Sequence, residues 1–285
     1  MAGILYLVTT PIGNLEDMTF RAVRVLQEVD LIAAEDTRNS MKLLTHFDIK
    51  KPLTSYHEFN KFDKGHVLVE QLLEGKNIAL ITDAGMPGIS DPGEELVAMC
   101  YEAGVTVTAV PGACAVVTAL TVSGQATRRF AFEAFLPMEN GKRARVISDL
   151  KKESRTICLY EAPHRLVRTL EELLEALGDR DISVCRELTK KHETIFRTTI
   201  GGALDFYRAN EPKGECVLVI AGKSFEEQEK EQQTAWEEMD LLEHMKLYED
   251  RGIDHKEAMK MVAKDRGIGK RDVYRMLLER QDAEE

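Results

Sequence analysis

Thr82-Asp83-Ala84-Gly85-Met86-Pro87-Gly88-Ile89-Ser90-Asp91-Pro92-Gly93 packs three glycines and two prolines into twelve residues, directly behind the apolar run Ile78-Ala79-Leu80-Ile81. A strand that ends in such a loop, with helix-forming Glu94-Glu95-Leu96-Val97 after it, exposes backbone N–H groups at the carboxyl edge of a sheet. Open α/β sheets bind small ligands at that edge. Gly permits close approach and unusual φ, and Pro stiffens the loop without a donor of its own. Taken alone, the stretch reads equally as an ordinary tight strand-to-helix connection. A second loop of similar character, Thr9-Thr10-Pro11-Ile12-Gly13-Asn14, follows the first strand-like run and strengthens the ligand-site reading.

Strand-like and helix-like segments alternate around these loops. In residues 1–122 the strand candidates are 4–9, 31–35, 78–82 and 105–109, and the helix candidates are 19–29, 38–46, 63–74, 94–103 and 112–121. This pattern predicts a mostly parallel sheet covered on both faces. A second α/β series spans 123–224, with strands at 130–135, 156–161, 182–188, 194–200 and 215–221 and helices around 141–151 and 164–177. Its adjacent strands at 182–188 and 194–200 predict a mixed sheet. Residues 225–238 turn polar and acidic, as a linker or an exposed helix start would, and 239–285 reads as a small helical tail. The Gly267-Ile268-Gly269 break in that tail resembles a helix-turn-helix.

The chain has 285 residues, enough for two modest domains and an appendage. A net charge of −11 argues against wholesale coating of nucleic acid but leaves room for a local basic patch. The five cysteines are scattered, form no CxxC and have no zinc-finger spacing, so no metal is expected and a reducing, cytoplasmic location is. No apolar run approaches membrane-spanning length, and the N-terminus reads as a first strand rather than a signal peptide.

Glu35-Asp36 ends the second strand at roughly the spacing where a dinucleotide fold places its ribose-binding acid. A Rossmann-type nicotinamide or class I methyltransferase reading follows from that. Against it, the first loop has one glycine where the GxGxxG fingerprint has three. Asp36 also precedes the helix-like Thr37-Arg38-Asn39-Ser40, where capping is its natural role.

Six blocks, in this order, carry a resemblance. They are Leu7-Val8-Thr9-Thr10-Pro11-Ile12-Gly13-Asn14-Leu15-Glu16-Asp17, Ala34-Glu35-Asp36-Thr37-Arg38 and the loop 82–93, then Val110-Pro111-Gly112-Ala113, Leu159-Tyr160-Glu161-Ala162-Pro163-His164-Arg165 and Lys213-Gly214-Glu215-Cys216-Val217-Leu218-Val219. Together they resemble the tetrapyrrole methylase superfamily, the class III S-adenosylmethionine-dependent methyltransferases, and within it the branch that modifies small-subunit ribosomal RNA. The likeness covers about 1–222 and extends into the tail. It implies two α/β domains with the donor S-adenosylmethionine in the cleft between them, a homodimer, and 2′-O-methylation of a cytidine in the decoding region of 16S ribosomal RNA. Carried onto this chain, it implies that Ile12, Asp83, Gly85, Pro87, Gly88, Ile89, Cys114, Ala115, Tyr160, Glu161 and Leu188 hold the donor. The first loop departs from the superfamily by lacking a Gly-Pro-Gly-Asp-Pro run, and the second is longer than a simple Gly-Asp-Pro loop.

A sulfonium donor is already activated, so alignment of acceptor oxygen, methyl carbon and sulfur can supply much of the acceleration. A ribose hydroxyl still benefits from a base that takes its proton. The candidates are His57, Glu35, Glu161 and Lys190, with Glu58, His164 and Glu187 beside them; His57 has the ring pKa suited to neutral pH but is equally read as a surface loop residue. Arg38, Arg165, Arg186 and Lys190 are candidates for phosphate contact, each also readable as a solvated charge. From Lys256 to Arg280 there are eight Lys/Arg against four Asp/Glu, a local net charge of +4, and Lys264, Arg266, Lys270, Arg271 and Arg275 bracket the glycine turn. Such a module suits RNA backbone contact. The alternatives are a tetrapyrrole C-methyltransferase and a catalytically silent RNA-binding protein on the same fold; the basic tail speaks against the first, the complete set of loops against the second.

Overall fold

The computed structural model describes residues 1–284, with side chains through Glu279. The chain falls into two compact units, 1–222 and 223–285. The first unit begins with β1 (Ile4–Val8), α1 (Phe20–Glu28), β2 (Leu31–Ala34), α2 (Thr37–His46) and β3 (Leu53–Ser55). It continues with α3 (Lys61–Leu73), β4 (Ile78–Ile81), α4 (Gly93–Glu102), β5 (Thr106–Val110) and α5 (Ala115–Ser123). A second series follows: β6 (Phe130–Phe135), α6 (Asn140–Lys151), β7 (Thr156–Glu161), α7 (Leu166–Leu177), β8 (Asp181–Arg186), β9 (Thr194–Thr199), α8 (Ile200–Ala209) and β10 (Cys216–Ile220).

The first sheet has the order β3-β2-β4-β1-β5 and is parallel throughout. The central strand β4 is buried on both faces, which is why Ile78-Ala79-Leu80-Ile81 carries no polar alternation. The adjacent strands β1 and β4 connect onward in opposite directions, β1 to β2 and β4 to β5. They make a switch point where a crevice opens beyond the carboxyl ends. The two loops that leave these ends are tied together: Thr10 and Gly85 exchange backbone hydrogen bonds of 3.0 and 3.1 Å, and the Thr10 hydroxyl donates to the Thr82 carbonyl at 3.1 Å.

The second sheet has the order β6-β7-β10-β8-β9; β6 runs parallel to β7 and the other pairs are antiparallel. The expected mixed sheet is thus observed. α5, which the strand–helix alternation assigns to the first half, packs on this sheet through Val116, Ala119 and Leu120 against Cys158, Cys185, Val217 and Val219. Its sequence is apolar almost all round and demands burial. Two elements escape a reading by periodicity. β3 is only three residues long, and α8 opens on Ile200-Gly201-Gly202, a poor helix start rescued by the Thr199 cap on Gly202 N–H.

The second unit holds α9 (Phe225–Glu238), α10 (Leu241–Glu249), α11 (His255–Asp265) and α12 (Lys270–Glu284). The segment 225–238 is helix, not linker, opened by a capping box between Ser224 and Glu227. At the centre of this unit His244 is fully buried, stacked 4.2 Å from Trp236 and bonded through Nε2 to Asp265 at 3.2 Å. Arg266 donates its Nε–H to His244 Nδ1 at 3.2 Å and a further N–H to the Met239 carbonyl. A guanidinium has only hydrogens to offer, so Nδ1 accepts and the ring is neutral with its proton on Nε2. Among the described residues no helix is long and apolar enough to cross a membrane.

Candidate functional site

The carboxyl ends of β1, β2 and β4 and the start of α5 face the ends of β6, β7, β8 and the start of β10 across a cleft of about 300 Å³. Much of the lining is apolar: Ile12, Cys114, Ala115, Phe135, Tyr160, Leu188, Cys216 and Val217. The charged part of the lining comes from both sheets and is acidic, with Glu35, Asp83, Asp91, Glu161, Glu187 and Glu215 against a single cation, Lys190. Of the positions expected to hold the donor, all but Pro87 and Gly88 lie in this lining.

Pro87 and Gly88 shape the loop from behind. Asp91 accepts the N–H groups of Gly88 at 2.8 Å and Gly93 at 2.9 Å, which closes the loop on itself. Gly88 has φ +85°, a conformation other residues adopt only under strain. A Cβ on it would point toward the backbone of Glu94, not into the cleft. Gly85 is the reverse case: at φ +86° a Cβ there would meet Ile12 Cγ2 at 3.4 Å and the Ala113 carbonyl oxygen at 3.7 Å, so the missing side chain leaves a cradle between three loops.

The base candidates separate clearly. Glu161 is 1% exposed, and its carboxylate accepts from the Thr169 hydroxyl at 2.5 Å and the Ala162 N–H at 2.8 Å, with Arg165 Nε at 3.3 Å. Its lone pairs are spent on holding α7 and the β7 end together. Lys190 sits 3.0 Å from Glu187 and 3.7 Å from Glu215. Burial works against its charge, but the two carboxylates outweigh burial and raise its pKa, so it stays an ammonium. His57 is not on the cleft wall; its Nδ1 is buried without a hydrogen-bond partner and its N–H is capped by Asn60 at 2.8 Å. Glu35 lines the cleft with an oxygen 3.4 Å from the Asp83 N–H, and burial, reinforced by Asp83 and Asp91, lifts its pKa above the usual carboxylate value.

The arginines expected at RNA divide in the same way. Arg38 is exposed but bonded to Asp36, whose side chain caps α2. Arg165 is committed to Glu161 and to the Leu136 carbonyl at 2.7 Å, and Arg186 donates to the Lys213 carbonyl at 2.9 Å. In the second unit Arg266 is 6% exposed and spent on His244 and Met239, so it is a core residue. Lys264 and Arg271 are exposed, Lys270 is half-buried, and Arg275 is exposed 2.9 Å from Asp272. The residue that periodicity hides is Phe135. Strict alternation along Phe130-Ala131-Phe132-Glu133-Ala134-Phe135 sends it to the opposite face from Phe132, yet it lines the cleft.

Residues 4–204 match the family of Tetrapyrrole (Corrin/Porphyrin) Methylases. A ribosomal RNA small subunit methyltransferase I of Halalkalibacterium halodurans is 48% identical over 272 residues, covering 95% of this chain and 93% of that protein. One from Thermotoga maritima is 47% identical over 221 residues, 78% of this chain and 99% of that protein. Among solved structures, a diphthine synthase superposes with a TM-score of 0.62 at 14% identity, covering 77% of this chain and 90% of that one. The two-sheet fold, the switch-point cleft and these likenesses together assign the chain to the tetrapyrrole methylase family of methyltransferases, in the branch whose curated members are named ribosomal RNA small subunit methyltransferase I.

Proposed function

We propose that the protein is a cytoplasmic, homodimeric enzyme that transfers a methyl group from S-adenosylmethionine to the ribose 2′-oxygen of a cytidine in the decoding region of 16S ribosomal RNA. The observation that carries this reading is the cleft itself. Its acidic lining suits a cationic sulfonium ligand, its apolar lining suits an aromatic base, and Gly85 leaves its own backbone uncovered by a side chain between three loops. α5 starts at Ala115 with no side-chain cap from Cys114; the Tyr160 hydroxyl takes the Val116 N–H instead and ties that ring to the helix start at the cleft. S-adenosylmethionine supplies an activated methyl on sulfur when bound. Ile12, Asp83, Gly85, Ile89, Cys114, Ala115, Tyr160 and Leu188 would hold it, with Pro87 and Gly88 setting the loop.

In this reading Glu35 takes the proton of the ribose hydroxyl. Its pKa is raised and its one hydrogen bond is the long one from the Asp83 N–H, whereas Asp91, also raised by burial, is spent on the Gly88 and Gly93 N–H groups, Glu161 is fully engaged and Lys190 is protonated. Lys190 serves instead as a cationic contact for the negatively charged acceptor, and exposed Lys264, Arg271 and Arg275, with half-buried Lys270, capture RNA phosphates from the tail. The test is competition between acceptors. Methyl-labelled donor is offered with small ribosomal subunits lacking the modification, or with a porphyrinoid. Label in the RNA supports the reading, and label only in the porphyrinoid overturns it. Light scattering at twice the 32.1 kDa chain mass is the expected result for the dimer, and a monomer mass refutes that part.

A further inference from the structure

We infer that Phe135 is the stacking platform for the nucleobase of the acceptor nucleotide, an inference that rests on the ribosomal RNA reading above. β6 pairs with β7 as Phe132 with Cys158 and then as Phe135 with Tyr160. Three residues on one strand thus span two on the other, which is a β-bulge. Ala134 takes up the extra residue at φ +48°, a conformation that a non-glycine residue adopts only where the surroundings hold it. The bulge carries Phe135 to the face of Phe132, so that both rings lie against Tyr160, at 4.9 Å for Phe132 and 5.5 Å for Phe135. Bulges next to active sites re-aim side chains in this way.

The three rings are not equivalent. Phe132 and Tyr160 are half-buried, and burial pushes the Tyr160 hydroxyl up to about 12. Phe135 leaves 51% of its surface exposed while lining the cleft. A large aromatic kept open at the site, held from behind by a second ring and placed there by a strained backbone, has an energetic cost without a flat partner. When the acceptor nucleotide enters the cleft out of its own stack, as single-stranded RNA is commonly bound, its base gains by finding a π-face to replace the lost neighbour. Two rings line the cleft, and Phe135 is the exposed one, with Tyr160 half-buried beside it.

The test is steady-state transfer to unmodified small subunits by Phe135→Ala, Phe135→Leu, Phe135→Tyr and Phe135→Trp, with donor affinity measured by calorimetry on the same proteins. Leu keeps apolar bulk but removes the flat face. Ala and Leu should lower kcat/KM for subunits ~10-fold, the range of a lost base–aromatic stack, while donor affinity and melting temperature hold. Tyr and Trp should restore transfer. Wild-type transfer by Phe135→Leu, or a loss of donor affinity equal to its loss of transfer, overturns the assignment, the latter by giving the ring to the donor. A wild-type protein that labels no RNA removes the function reading and this inference with it, and is told apart by that control.

Discussion

Gly88→Ala separates loop geometry from ligand contact. The residue has φ +85° and an added Cβ would have no protein neighbour closer than 3.8 Å, so the change introduces no clash within the chain. What it introduces is left-handed strain, about 1–2 kcal/mol for a residue with a side chain. Roughly 0.4–1 kcal/mol of that is offset by the stiffer unfolded chain. The folded loop escapes the strain by leaving its conformation, which breaks the Gly88 N–H bond to Asp91 and frees the turn that carries Gly85 and Ile89. Binding the donor must then restore the strained form, so donor affinity should fall by up to roughly 5- to 30-fold, the equivalent of 1–2 kcal/mol. Gly104→Ala is the matched control: φ is +71°, no atom lies within 4 Å of the new Cβ, and the residue is not on the cleft wall. Calorimetric titration with the donor, alongside thermal melts, should show both variants melting a few degrees lower, about 2–4 °C per kcal/mol at this size. Only Gly88→Ala should lose donor affinity. Equal donor affinity in the two variants would refute the link between this loop and the donor.

Glu35→Gln should cut the transfer rate ~100-fold or more while keeping donor affinity; because its carboxyl pKa is raised, the wild-type rate should fall on acidification at a pH above the usual carboxylate range, and a Gln variant with the same profile contradicts the role. Arg165→Met leaves Glu161 buried without its ion pair and should cost about 3 kcal/mol by denaturant titration; an unchanged stability with weakened RNA binding would return Arg165 to the RNA contacts. Burial holds the His244 pKa below its ordinary value, so its contribution to the tail is present above the unfolded value of about 6.5 and is lost as pH falls through the folded pKa. The single tryptophan, Trp236, stacks on that ring, and its fluorescence should change on acidification below about 6.5 in the wild type but not in His244→Phe; a flat trace in both contradicts the neutral buried ring. Deleting 223–285 should weaken RNA binding and flatten its salt dependence with donor affinity kept, since every residue lining the cleft lies before 223; charge reversal at Lys270 and Arg271 should do the same more mildly, and an unchanged salt slope makes the tail a structural appendage.

What could be read in advance follows from which interactions are local. The loop 82–93 announced itself because glycine and proline chemistry is written in the chain, and apolar runs such as Ile78–Ile81 show their burial directly. Asp36 as a cap was legible for the same reason. Phe135 was not, because a bulge changes the parity of a strand without leaving a mark in its composition. Arg165 and Arg266 look like RNA contacts in a sequence, and only their distant partners Leu136 and His244 reveal that they hold the core. The choice among base candidates was closed to sequence for the same reason: Glu35 and Glu161 differ in how many partners the fold brings to each carboxylate.

Methyl transfer is defined by the bond it forms. Small subunits lacking the modification should be incubated with the protein and methyl-labelled donor, and the recovered 16S RNA cleaved with alkali. A 2′-O-methyl group blocks the neighbouring phosphodiester from cleavage. The expected result is label in a single alkali-resistant dinucleotide whose 5′ residue is a cytidine of the decoding region. Label released as ordinary mononucleotides, which places the methyl on a base, or RNA bound without any label, contradicts it.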